Sequence, residues 1–245
     1  MRTDTPTARG SSAVWRALRD ELARVGTAEP HVVDVGGGSG VWAVPLAAAG
    51  CRVTVVEPNP NALATLRRRA EETGVAARIA VVADDTDALG GRIPAGSADL
   101  VLAHGLLEVV DDPVAVVAAL AGTATPGRAV SVLAANRHAA VLHRALAGRL
   151  GEARRLLAAA DGVLADDSEN LLRRFDTEGL TALLASAGLV VELVQGDGVV
   201  SDSVGEAESE LFTGEELAEF EGAAGVVPPL RDIATRLHVL GRRPR

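Results

Sequence analysis

Two carboxylates on either side of a glycine run are the residues best placed to do chemistry. Asp34 sits near the end of the apolar stretch Val32-Val33-Asp34-Val35, and glycines follow at 36, 37, 38 and 40. Glycine reaches positive φ and has no Cβ, so a small ligand can lie directly on the backbone there. Residues 41–49 then resume as a helix whose first N–H groups suit a carboxylate or phosphate. Glu57 closes the next apolar stretch and can accept hydrogen bonds from both hydroxyls of a ribose. Asp85 and Thr86 follow a third such stretch, and His104 a fourth. Together these types and spacings describe a pocket for an adenine-nucleotide-type ligand. Gly38-x-Gly40-x-x-Ala43 on its own also fits a degenerate dinucleotide fingerprint.

Such residues need strands to carry them to a common edge. The pattern predicts strands over 31–35, 52–56, 79–83, 99–103 and 128–134, with helices over 12–25, 61–73 and 113–121 between them. Asp112-Pro113 marks a helix start, and Pro126-Gly127 reads as a turn before the fifth strand. Strand–helix alternation implies an α/β fold: a doubly wound, mostly parallel, Rossmann-like sheet. Ligands in such sheets lie at the carboxyl ends of the strands, where Asp34, Glu57, Asp85 and His104 all fall. Residues 136–175 read as a helical insertion or lid carrying Asp161, Asp166, Asp167 and Glu169. Strands over 189–194 and 236–241, the last antiparallel, complete seven. The chain is thus expected to form one domain: an arm and helix over 1–29, a cofactor-binding core over 30–135, the insertion, and a C-terminal part of the sheet over 176–245.

Composition narrows the function classes. A net charge of −9 argues against a broad grip on nucleic acid, which requires cations to neutralise phosphates. The chain has no lysine and no tyrosine, so there is no Schiff-base lysine and few rings on which bases can stack. The single Cys51 rules out an internal disulfide, and no His/Cys/carboxylate group has metal-ligand spacing. With no apolar run of membrane-spanning length and no signal-like N-terminus, the expectation is a cytoplasmic protein with no membrane association. Oligomeric state is not encoded in any of these features.

Asp-x-Gly-x-Gly-x-Gly from Asp34 to Gly40, followed by Glu57 at the end of the next strand, resembles the class I S-adenosylmethionine-dependent methyltransferases. That resemblance implies S-adenosylmethionine as cofactor. Asp34 and the backbone at Gly36, Gly37 and Gly38 would hold its methionine part and Glu57 its ribose. Asp85 and Thr86 would bracket its adenine, and His104 would lie along it near the methionine end. Three further segments are similar to the bacterial tRNA carboxymethoxyuridine methyltransferases: residues 104–113, Asn136-Arg137-His138 with the residues up to Gly148, and Pro229 to His238. The chain departs from that family in having Gly10 where the family has a cofactor-binding Arg, and Leu230 where it has Tyr. Its insertion is acidic where that family's is Lys-rich.

The family resemblance implies a carboxylate acceptor on a tRNA wobble uridine, with methyl-ester formation. A carboxylate needs no general base at neutral pH, and Arg137, Arg231 or Arg236 could grip it in a bidentate fashion. A hydroxyl or amine on a small-molecule substrate would instead want a base, drawn from His104, His138, His143 or His238. His143 and His238 read more simply as packing residues. Small-molecule O- or N-methylation, and a non-catalytic cofactor-binding protein, are the alternatives to the tRNA reading.

Overall fold

The computed structural model describes residues 12–84, 89–159, 161–163, 173–202 and 211–245. Asp85, Thr86, Gly10 and the acidic residues Asp166, Asp167 and Glu169 lie outside them. In chain order the elements are α1 (Ser12–Val25), β1 (His31–Val35), α2 (Ala43–Ala48), β2 (Arg52–Val56), α3 (Pro60–Glu72), β3 (Ile79–Val82), α4 (Leu89–Arg92), β4 (Ala98–His104) and α5 (Pro113–Thr123). They continue with β5 (Ala124–Ala135), α6 (Arg137–Leu146), α7 (Leu150–Ala158), α8 (Thr177–Ser186), β6 (Val190–Asp197), α9 (Gly214–Ala224) and β7 (Arg236–Arg242). One seven-stranded sheet runs in the order β3-β2-β1-β4-β5-β7-β6, with β7 antiparallel to both of its neighbours.

Local signals set the helix starts. Asn59 caps α3 by accepting from the Asn61 N–H at 2.9 Å, and Pro60 follows at a position where its missing N–H costs nothing. Asp112 caps α5 in the same manner, accepting from Val114 and Ala115 N–H at 3.0 Å each. Thr213 and Glu216 form a reciprocal capping box on α9.

The sheet divides the interior into two cores. Val33, Val35, Val101, Val130, Val132 and Val239 face α5 and α8. Val32, Leu100, Leu102 and Leu133 face α1, α2 and α3 through Val14, Leu18, Leu46 and Leu66. Side chains alternate faces along a strand, so Asp34, Leu102 and His104 belong to the second face.

Three differences from the sequence expectation have physical causes. His104 is the last residue of β4 rather than a loop residue: it pairs with Leu133, and its ring is hydrogen-bonded within the sheet. Pro126-Gly127 falls inside β5, where the register against β4 jumps from Ala98↔Ala124 to Leu100↔Ala129 and residues 125–128 bulge out. β6 continues past Val194 to Asp197 because Gln195 and Asp197 find partners on β7, the buried His238 and the half-buried Arg236. The insertion contains α6 and α7, and its two ends are joined where Arg137 N–H donates to Phe175 O at 2.8 Å and Phe175 N–H to Ala135 O at 2.9 Å. No helix among the described residues is long and apolar enough to cross a membrane.

The turn after β1 is tightly packed. Gly40 has a φ of +78°, and a Cβ there would stand 2.2 Å from Leu66 Cδ1, a fully buried side chain. Gly40→Ala therefore combines backbone strain with overpacking and should destabilise the protein by about 2–4 kcal/mol. Urea unfolding followed by circular dichroism checks it; a midpoint equal to the wild type's would contradict the close packing.

Candidate active site

β1 carries Asp34 to the carboxyl edge of the sheet but keeps it 1% exposed. Its Oδ2 has no hydrogen-bond partner among the described residues. Burial first, and then the Glu57 charge, push its pKa up to about 7. The glycine turn folds directly over this carboxyl. A Cβ on Gly37 would lie 2.7 Å from Asp34 Oδ2 and 2.9 Å from Val55 Cγ1, so no other residue fits without displacement. Gly36, at φ +69°, donates its N–H to Val56 O at 2.8 Å and brings the turn against Leu106.

Glu57 sits just past β2 and is 9% exposed. Its Oε2 accepts from Gly38 N–H at 3.0 Å and its Oε1 from Asn59 N–H at 2.8 Å. One carboxylate thus ties the glycine turn to the start of α3 and fixes its own orientation. A second lone pair on each oxygen remains for a diol.

A cavity of about 850 Å³ opens beside these groups, lined by Gly36, Glu57, Pro58, Asp84, Leu106 and Val110 among others. Its volume suits a nucleoside-sized ligand. The wall made by Leu106, Val109, Val110 and the α5 residues Ala115, Val116 and Ala119 was not legible as site residues in the sequence. The signal was present as the apolar Leu106-Leu107 and Val109-Val110 pairs directly after β4. Asp34, Gly36, Gly37, Gly38 and Glu57 are therefore brought together, and Asp84, next to the Asp85-Thr86 pair, reaches the same cavity.

His104 lies on the neighbouring strand with Gly105, a cavity residue, following it. Its ring meets Trp42 edge to face at 4.6 Å, and Trp42 in turn lies against Trp15 at 4.8 Å. Burial, and then the nearby His238, hold its pKa well below the usual histidine range, so the ring is neutral. Neither Trp was assigned a role from sequence.

Of the substrate-side candidates, Arg231 and His138 both lie beside Asp232. Arg137 forms an ion pair with Asp176 and donates to Ala159 O at 2.7 Å. Arg231 Nε bonds Asp232 Oδ1 at 2.9 Å, and Thr177 Oγ donates to the same oxygen at 2.7 Å. His138 is close enough to Asp232 to stabilise its carboxylate. Arg236 is held by Asp197 at 2.7 Å and Asp202 at 3.2 Å. All three arginines expected to grip a carboxylate are thus matched by carboxylates of the chain itself. His143 is exposed on α6, and His238 is fully buried in β7. Among the described residues no group of three or more His, Cys, Asp or Glu is placed to hold a metal ion.

A family model described as a methyltransferase domain matches residues 8–194. The tRNA 5-carboxymethoxyuridine methyltransferase of Escherichia coli (strain K12) is 28% identical over 135 residues, 55% of this chain and 51% of that enzyme. The chain therefore spans about half the length of that relative. A ubiquinone biosynthesis O-methyltransferase of Xanthomonas axonopodis pv. citri (strain 306) is 30% identical over 174 residues, 71% of this chain and 68% of that enzyme. Among solved structures, the geranyl diphosphate C-methyltransferase of Streptomyces coelicolor A3(2) in complex with S-adenosyl-L-homocysteine superposes with a TM-score of 0.60. It is 15% identical over 94% of this chain and 76% of that one, a likeness of fold.

Proposed function

The chain belongs to the methyltransferase-domain family, and from that premise we propose that it is an S-adenosylmethionine-dependent enzyme that transfers the methyl group to an oxygen of a small molecule. The observation that carries the cofactor half is the buried Asp34 carboxyl, whose Oδ2 has no partner among the described residues, under a side-chain-free glycine turn, with Glu57 9% exposed beside a cavity of about 850 Å³. The fit is chemical as well as spatial. S-adenosylmethionine carries a sulfonium and an ammonium, and two adjacent carboxyls favour a cation. In this reading Asp34 would face the ammonium, the glycine turn would lie along the methionine part, and Glu57 would accept from the ribose. Leu106, Val110 and α5 would cover the apolar face of the adenine, with His104 beside the methionine end.

The cofactor supplies a methyl group on a positively charged sulfur, so transfer is an in-line displacement with a neutral leaving group. What the chain must do is hold acceptor and donor collinear, which alone contributes several kcal/mol. An oxygen acceptor is supported by the name of the Xanthomonas relative, an O-methyltransferase. A small acceptor is supported by the net charge of −9 and by the ion pairing of Arg137, Arg231 and Arg236, which leaves these three poorly suited to binding phosphates. The second reading, a carboxymethoxy group on tRNA, is favoured by the Escherichia coli relative and by the segments at 104–113, 136–148 and 229–238. In that case Arg137, His138 and Arg231 would approach the acceptor by exchanging their present partners.

Calorimetry with S-adenosylmethionine tests the cofactor half, with micromolar affinity expected; no heat at millimolar ligand rejects it. Turnover of the methyl-labelled cofactor against a panel of phenols, carboxylic acids and total tRNA tests the acceptor. Transfer to phenols or free acids, without label in tRNA, is the expected result. Label appearing as methyl ester in tRNA nucleosides reverses the assignment.

A further inference from the structure

We propose that Ser131, His238 and Gln195 are positioning residues that hold His104 in a single tautomer, with its Nδ1–H fixed as a donor toward the methionine part of the cofactor. The inference rests on the cofactor reading above and adds to it three residues far from the glycine turn in sequence.

The four side chains lie on adjacent strands in the order β4, β5, β7 and β6. Register places them on one sheet face: His104 pairs with Leu133, Leu133 with His238, and His238 with Gln195, while Ser131 stands two residues before Leu133. Gln195 Nε2 lies 2.8 Å from His238 Nδ1, His238 Nε2 lies 2.8 Å from Ser131 Oγ, and Ser131 Oγ lies 2.8 Å from His104 Nε2. The row is almost closed to solvent, with Ser131 and His238 at 0% exposure and Gln195 at 6%.

The row has a direction. An amide nitrogen only donates, so His238 Nδ1 accepts and its proton sits on Nε2. That proton goes to Ser131 Oγ, whose own hydrogen is then free for His104 Nε2. His104 Nε2 accepts, and its proton is forced onto Nδ1. Burial holds the His238 pKa at about 3, so no second proton disturbs this arrangement near neutral pH.

At its other end the row stops on an orphan. His104 Nδ1 is buried and has no hydrogen-bond partner among the described residues. A purely structural network would satisfy both of its ends, since a buried donor without an acceptor is costly. Here the other end presents a bare N–H at the carboxyl end of β4, one residue before the cavity-lining Gly105. Trp42, edge to face at 4.6 Å, restrains the ring plane. A bound acceptor, such as a carboxylate oxygen, would complete the row.

Two measurements test this. The first needs no ligand: nitrogen chemical shifts of isotope-labelled histidine in the free protein. The wild type should show His104 as the Nδ1–H tautomer, Ser131→Ala should shift it toward Nε2–H, and Ser131→Thr, which keeps the hydroxyl, should restore it. The second is the dissociation constant for S-adenosylmethionine in two His104 variants. His104→Asn places its amide near the Nδ1 position and should bind within about threefold of wild type. His104→Gln places its amide near Nε2 and should bind at least about tenfold more weakly, although it can still reach Ser131. An Nε2–H wild-type tautomer, or Gln binding as well as Asn, overturns the proposal. Wild-type protein that fails to bind S-adenosylmethionine removes the cofactor reading and this proposal with it; wild-type binding with Asn and Gln alike removes only the proposal.

Discussion

Glu57→Ala is expected to weaken S-adenosylmethionine binding by about two to four orders of magnitude. Two hydrogen bonds from ribose hydroxyls to a charged acceptor are worth about 1.5–3 kcal/mol each when the alternative is a partly desolvated, unpaired diol. Part of the loss has a second origin. Glu57 also accepts from Gly38 and Asn59 at 3.0 and 2.8 Å, so its removal frees the glycine turn proposed to hold the methionine end. Glu57→Gln separates the two effects. Its amide oxygen can keep one backbone bond while its NH2 meets a donor, and it should recover affinity only in part. Calorimetric affinities within about threefold of wild type for Glu57→Ala would remove Glu57 from the cofactor site.

Asp34→Asn should stabilise the ligand-free protein above neutral pH while weakening cofactor binding. The Asp34 carboxyl has its pKa raised from 3.8 to about 7 by burial and by Glu57. A group whose folded pKa lies above its unfolded one favours the folded state at low pH. That contribution is complete below pH 3.8, shrinks as pH rises and is gone above about 7. The asparagine has no such dependence. The variant should therefore match wild type near pH 4 and exceed it by about 2–4 kcal/mol at pH 8, the lower figure allowing for the buried amide. Denaturant titrations at the two pH values measure this, and a difference that does not grow with pH contradicts a raised Asp34. If the cofactor ammonium selects the ionised carboxyl, wild-type affinity should climb by up to about tenfold per pH unit between pH 5 and 7 and then level off. The Asn variant should bind weakly and without that slope.

The sheet was readable from sequence wherever strands announce themselves by β-branched runs and end in glycine or a helix cap. Val53 to Val56 and Ile79 to Val82 are of this type. It was less readable where polar residues continue a strand because a partner is waiting across the sheet. His104, Gln195 and Asp197 look like positions beyond the strands in one dimension and belong to them in three. The bulge at 125–128 escaped for the opposite reason, since Pro126-Gly127 is a strong turn signal that β5 absorbs without ending. Within the site, Asp34, Gly36, Gly37, Gly38 and Glu57 were legible because sharp turns and charged strand ends are local features. The cavity wall on α5 and the role of Trp42 were not, since both depend on which elements the sheet order brings side by side. For Arg137, Arg231 and Arg236, residue type suggested a carboxylate ligand, but only the structure shows that Asp176, Asp232 and Asp197 already fill that place.

The position of β7 has a consequence for how the protein reaches its native state. β7 is the last strand in chain order, yet it lies between β5 and β6. During synthesis β6 emerges with no edge to join, and it must wait for residues 236–242 to slot in before it acquires a neighbour. Until then β5 presents an unprotected edge and His238, Ser131 and Gln195 are apart. Closure of these strands is a long-range, late event, of the kind that slows folding. A vacant β5 edge in the meantime is open to pairing with another nascent chain.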